Sequence, residues 1–294
     1  MLRQAFRPGC PFWPGRPWVA ATVALVAAVA LAGCGSDDAQ PQPSTSGSTQ
    51  AETRPDTGTT TFAVFLARDE RVAPVRRTVP HTPGVARAAL TALLAGPSPD
   101  DRAARYGSAI PAGTELLDVS IANGTATVDL SGAFAAGGGS SSMLTRIAQV
   151  VFTVTQFPGV ERVAFRLDGR PVTEIGGEGV VVDPPVGRAG FEDQTPAILV
   201  ESPLPGDTVR SPVRLRGTAN VFEATVALEV RAADGTVVQR TFTTATSGSG
   251  TRGTFDTDLE VDVPAGPFVI VAFESSAKDG SKLFPVELPL TLER

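Results

Sequence analysis

The spacing of apolar residues changes once along this chain, and that change limits the folds open to it. Between residues 61 and 182, strand-like runs are interrupted by two stretches with helical spacing. One holds Val85, Ala89, Leu90, Leu93 and Leu94; the other holds Leu144, Ile147, Val151 and Val154. Residues three and four apart share one stripe of a helix. From 196 to 294 no such stripe occurs. Phe255, Leu259, Val261 and Val263 instead alternate with Asp256, Asp258, Glu260 and Asp262, as on a strand with one face buried. The change predicts two modules of different class.

In the first module the spacing predicts a strand over Thr61–Ala67, then a helix capped by Thr82 with Pro83 as its first residue and ended by Gly96-Pro97. Thr114–Ile121 and Thr125–Leu130 form a hairpin across Asn123-Gly124. A second helix over 140–157 stops at Pro158-Gly159. Val163, Phe165 and Leu167 make the last strand, closed by Asp168-Gly169. Two helices covering one face of a small mixed sheet give an α+β sandwich.

In the second module strands are expected at 197–202, 208–218, 225–232, 236–243, 253–263, 268–275 and 283–292, with turns at Asp234-Gly235 and Asp279-Gly280. Short alternating strands at this density predict an all-β, immunoglobulin-like sandwich. It has no cysteine pair and no core tryptophan, so it is not of the antibody type.

The start of the chain reads differently. Residues 1–17 hold Arg3, Arg7 and Arg16 and no acid; residues 18–32 are apolar except Thr22, ending in Leu31-Ala32-Gly33-Cys34. A basic stretch followed by a short apolar run reads as a signal peptide. The last four residues resemble the bacterial lipobox. That resemblance implies lipidation of Cys34, cleavage after Gly33, and a protein tethered to the outer face of the cytoplasmic membrane. An uncleaved signal anchor is the other reading and places the chain on the same side. Residues 34–60 are then a lipid-anchored flexible linker, too polar to offset the entropy of ordering. The expected organisation is signal peptide 1–33, linker 34–60, α+β module 61–182, connector 183–195 and β-sandwich 196–294.

Charge narrows the partners. Residues 1–33 take three arginines and no acid, leaving 22 of the 25 basic side chains against all 31 acids, a formal charge of −9. This sign gives no footprint for nucleic acid and no polybasic cluster for lipid. Lysine occurs only at 278 and 282. The two cysteines are Cys10 and Cys34, so the modules hold no disulfide and no thiolate metal site.

Candidate chemistry is sparse. His81 is the only histidine and sits between prolines, as a loop residue would. Asp256, Asp258, Glu260 and Asp262 form a carboxylate row that could bind calcium, but the alternating apolar residues favour a solvent-facing strand. Gly137-Gly138-Gly139-Ser140 precedes a helix, where amides could hold an anion; a flexible loop with a serine cap is the better reading. Asp118 and Asp129 could act as acid and base, but nothing brings them into a cleft. No enzyme activity, cofactor or metal is expected.

Five stretches resemble the GerM domain of sporulation and spore germination: Ala89–Pro97, Ser108–Thr114, Ala126–Ser131, Thr153–Val160 and Asp168–Val172. The resemblance implies an extracytoplasmic domain similar to ring-building modules, without catalysis. Ile198, Val200, Ser202-Pro203, Pro205-Gly206, Ser211-Pro212-Val213, Gly217, Phe222–Val226 and Ala277–Gly280 resemble the immunoglobulin-like domain of bacterial spore germination. Together they imply a non-catalytic envelope scaffold or accessory lipoprotein that contacts a protein partner or itself. The alternative is a lipoprotein that binds cell-wall polymer or a small solute.

Overall fold

The computed structural model describes residues 58–293. Leu31, Ala32, Gly33 and Cys34 lie outside the described residues.

β1 (Thr59–Arg68) pairs antiparallel with β2 (Arg71–Pro80). Their two-residue turn places Asp69 and Glu70 at φ 50° and 62°, the left-handed pair that a tight hairpin requires. The sequence reading has one strand here, then a break. β2 escapes it because Asp-Glu is a poor turn signal, and because Pro74 and Arg76-Arg77 obscure the alternation.

α1 (Val85–Leu94) begins two residues later than read, capped by Gly84; Thr82 Oγ1 accepts from the Gly84 N–H at 3.2 Å. The following polar stretch holds a short helix, α2 (Pro99–Ala103). Ser98 and Asp101 cap it reciprocally, each side chain accepting from the other's backbone N–H. Arg77 of β2 pairs with Asp101.

β3 (Leu116–Ala122) and β4 (Thr125–Leu130) form the expected hairpin, with Asn123 and Gly124 at φ 49° and 76°. α3 (Ser140–Val154) carries the chain to β5 (Arg162–Leu167), which lies parallel to β4. A second tight turn at Asp168-Gly169 adds β6 (Arg170–Pro171), giving the order β3-β4-β5-β6. β7 (Glu174–Ile175) and β8 (Val180–Val181) form a separate small ladder.

The α+β class holds, but α3 does more than cover a sheet. Met143 and every residue from Thr145 to Val154 are buried, because α3 packs on β1, β2, β5 and α1 together. Its polar residues pair with the free edge of β1. Thr153 Oγ1 accepts from Phe65 N–H (3.1 Å), and Gln149 Nε2 donates to Phe65 O (3.1 Å). Gln156 accepts from Ala63 N–H and donates to Ala63 O, at 3.0 and 2.7 Å. Positions 149 and 153 lie on one side of α3 and Gln156 follows just past its end, so together they satisfy an edge whose backbone would otherwise be buried without partners.

The second module has two sheets. One, in the order β14-β11-β9, comprises β9 (Ile198–Ser202), β11 (Val213–Ala219) and β14 (Gly253–Leu259). The other, in the order β10-β16-β15-β12-β13, comprises β10 (Thr208–Val209), β12 (Thr225–Arg231), β13 (Val237–Thr244), β15 (Gly266–Ser275) and β16 (Lys282–Leu292). The single strand expected at 208–218 is two strands in different sheets. Pro212, which has no N–H for a ladder, lies at the break. Where β9 meets β11 the register shifts at Gly217, and a Cβ there would stand 2.1 Å from Leu199 O. Only glycine lets the strands approach so closely.

The stretch between the modules is packed. Arg188 donates to Thr155 Oγ1 (2.8 Å), Phe152 O (3.2 Å) and Glu201 (2.7 Å), and lies over the rings of Phe152 and Phe65. Glu192 accepts from both Arg252 (2.8 and 3.0 Å) and Asn220 (2.9 Å). Val72 N–H donates to Gln194 O at 2.7 Å. Leu199 and Leu204 belong to the core cluster of the first module, so apolar packing crosses the junction.

Candidate interaction surfaces

The residues singled out for chemistry are engaged in structure. Asp118 and Asp129 are cross-strand partners, but each has its own contacts. Asp118 pairs with Arg87 at 2.6 Å, and Asp129 accepts from Gly169 N–H at 3.1 Å with Arg166 at 3.8 Å. Asp256, Asp258, Glu260 and Asp262 lie exposed, as the alternation predicts. Arg214 grips Asp256 through two 2.7 Å bonds, and Ser211 donates to Glu260. Among the described residues no group of three or more His, Cys, Asp or Glu could hold a metal ion. His81 lies exposed just beyond β2, its N–H donating to Gly58 O.

The glycine loop before α3 differs from its reading. Gly139 is the cap and Ser140 is already helical; the anion at this helix start is Glu178, which accepts from Ser140 N–H at 3.1 Å. The buried guanidinium of Arg146 fastens the loop by donating to Phe134 O, Ala136 O, Gly137 O and Ala109 O. Burial lowers the pKa of this cation.

Among the described residues, two surfaces stand out. The first is at β3, the terminal strand of its sheet. Leu117 and Ile121 are 44% and 47% exposed. Val119 and Ile121, with Pro83, Val85 and Phe157, line an open groove of about 440 Å³.

The second is the outer face of the five-stranded sheet. Val226, Leu228 and Val230 of β12 turn into the core, so Ala227, Glu229 and Arg231 turn outward. Cross-strand register sets Phe242, Ala227 and Phe273 in one row and Arg240, Glu229, Val271 and Glu287 in the next. Glu229 is wholly buried, covered by cations: Lys282 Nζ lies 2.6 Å away, Arg231 Nε 2.7 Å and Arg240 Nε 3.2 Å. Burial pushes its carboxyl up, but the bonds from Lys282, Arg231 and Arg240 outweigh burial and hold it at about 2. Lys282 also lies over the Phe273 ring at 5.0 Å, while Phe242 stands 65% exposed. Sequence alone says little of this face. Its one signal is a glutamate inside the apolar run Thr225–Val230, matched by one of only two lysines.

Residues 59–173 match the family Germane, described as sporulation and spore germination, and residues 197–281 match Gmad2, the immunoglobulin-like domain of bacterial spore germination. The chain carries a Germane domain followed by a Gmad2 domain. Neither family description names a catalytic activity, and both point to a germination-type accessory role. Solved structures similar to this chain include the tandem GerMN domains of the sporulation protein GerM from Bacillus subtilis. That match has 17% identity and a TM-score of 0.41, covering 71% of this chain and 64% of that one. The first GerMN domain of the same protein matches at 21% identity and a TM-score of 0.36, covering 44% of this chain and 98% of that one. No curated protein matches the chain. The β3 groove belongs to the Germane domain and the Glu229 face to the Gmad2 domain. Among the described residues no helix is long and apolar enough to cross a membrane.

Proposed function

We propose that this protein is a lipoprotein, anchored through Cys34 on the extracytoplasmic face of the cell membrane, that serves as a non-catalytic scaffold. Its Germane domain contacts an envelope protein. The observation that carries this reading is the β3 edge, a terminal strand with exposed Leu117 and Ile121 beside an apolar groove. An edge strand offers unpaired backbone groups to an incoming strand, and adjacent apolar pockets select its side chains. Arg87 and Asp118 add a charged rim. The packed junction supports the reading too, since a partner held by one domain is thereby positioned relative to the other.

The test is in-cell crosslinking of the tagged protein, with detergent extraction and mass spectrometry of what accompanies it. The expected result is a reproducible membrane protein that is lost on Ile121→Asp. Recovery of the protein alone would overturn the reading. A Cys34→Ser variant is expected to leave the membrane fraction; retention of that variant would remove the anchor.

A further inference from the structure

We infer that the outer face of the five-stranded sheet in the Gmad2 domain binds an acidic polysaccharide. This goes beyond the scaffold reading and stands on different residues.

The first argument is charge. Beyond residue 33 the chain carries nine more acids than bases, yet this face gathers Arg231, Arg240 and Lys282 around one carboxylate. Glu229 lies beneath them with no exposure, while their own side chains are 26%, 72% and 32% exposed. The one other acid in contact is Glu287, which pairs with Arg231 at 3.1 Å. Three cations against two carboxylates leave one positive charge uncompensated, carried by groups open to solvent. Glu229 fixes the guanidiniums and the ammonium in place, so an anion arriving from above meets donors that are already oriented.

The second argument is shape. Ala227 separates Phe242 and Phe273 in the row beside the cations. Phe273 is buried beneath Lys282, so the small side chain of Ala227 leaves a low floor beside one open ring face, that of Phe242. A sugar ring has an apolar face for such a platform and hydroxyls around its rim. Exposed Glu287 accepts from hydroxyls, and Arg240 and Lys282 donate to carboxylates. The residues span β13, β12, β15 and β16, an open surface about 14 Å across, which suits an extended chain better than a small solute. A membrane surface is disfavoured, because lipid attraction of this kind calls for about four or more basic residues and this face has a net charge of one.

The experiment titrates the full-chain protein with polygalacturonate, with dextran as the neutral polymer and with phosphatidylglycerol vesicles as the anionic membrane. The expected result is binding to polygalacturonate that weakens with salt, and none to dextran. Phe242→Ala weakens it about tenfold without changing the melting temperature, and Arg240→Ala weakens it to a similar degree. Arg214→Ala, on the opposite sheet, leaves it unchanged. Absence of polygalacturonate binding, binding that neither substitution weakens, or binding to vesicles alone would overturn the inference. Loss of the Cys34 anchor, or failure to find a protein partner, does not alter this titration, so the two readings fail separately.

Discussion

The two domains bury polar side chains in opposite ways. In the Germane domain, Gln149, Thr153, Gln156 and Arg146 of and beside α3 are spent on backbone groups: the free edge of β1 and the carbonyls of the glycine loop. In the Gmad2 domain, Glu229 is buried just as completely, but its partners are side chains reaching in from solvent. Polar groups bonded to backbone hold a fold together, because removing one strands several buried acceptors. A carboxylate bonded only to surface cations serves the surface, and the β-sandwich beneath it stands on Val226, Leu228, Val230 and their neighbours. Burial alone therefore does not separate structural polar residues from functional ones; the identity of the partner does.

Arg146→Met is the most severe way to break this contrast. Methionine fills much of the same space but leaves the carbonyls of Ala109, Phe134, Ala136 and Gly137 without their donor. A loss of about 4 kcal/mol is expected, at 1–3 kcal/mol for each stranded group that water does not rescue. Urea unfolding measures it. A loss below about 1 kcal/mol would show that the loop does not depend on this cation.

The junction comes next. Arg188→Ala removes the donor to Glu201 and to Phe152 O together with the guanidinium over two rings. The expected cost is about 2 kcal/mol. Limited proteolysis should also show new cleavage between residues 183 and 195. Unchanged proteolysis at lower stability would mean that Leu199 and Leu204 hold the domains together without it.

How much of this was legible beforehand follows from the same distinction. The Asn123-Gly124 and Asp168-Gly169 turns, both helices and the alternating strands of the Gmad2 domain were readable because turn chemistry and apolar period are local signals. β2 was not, since its turn carries Asp69-Glu70 and its alternation is broken by Pro74. The capping of β1 by α3 was not either: Gln149, Thr153 and Gln156 look like ordinary helix residues until a strand edge arrives from more than eighty positions away. The carboxylate row at 256–262 lies on the solvent face that its alternation predicts. Glu229, more consequential, is hidden inside a strand that otherwise reads as core. The cations that answer it lie in three strands, and only the register of β12, β13, β15 and β16 brings them together.

Glu229→Gln sharpens the contrast with a smaller effect. The folded carboxyl sits at about 2, below an ordinary glutamate near 4.3 in the unfolded chain. Its contribution is therefore complete above about pH 5 and is lost as pH falls toward 2. Because Arg240 is largely exposed, solvent screens the attraction and the contribution at neutral pH is of order 1 kcal/mol. The variant should be less stable than the parent at pH 7 and should converge on it near pH 2. A constant gap across that range would show that the ionised carboxylate is not what stabilises the parent.

The smallest expected effect decides which side of the comparison the outer face belongs to. Phe242 is large, apolar and 65% exposed on edge strand β13. If the face were structural, Phe242→Ala would cost the 3 kcal/mol or more typical of a buried aromatic. If it is a surface kept for a ligand, the change should lie within about 0.5 kcal/mol by urea unfolding, while solubility improves as exposed apolar area is lost. An exposed aromatic that contributes almost nothing to the fold, set beside a carboxylate that orients three cations, is the pattern of a surface shaped for contact. A large destabilisation would instead place Phe242 with Gln149 and Arg146 among the residues that hold the chain together.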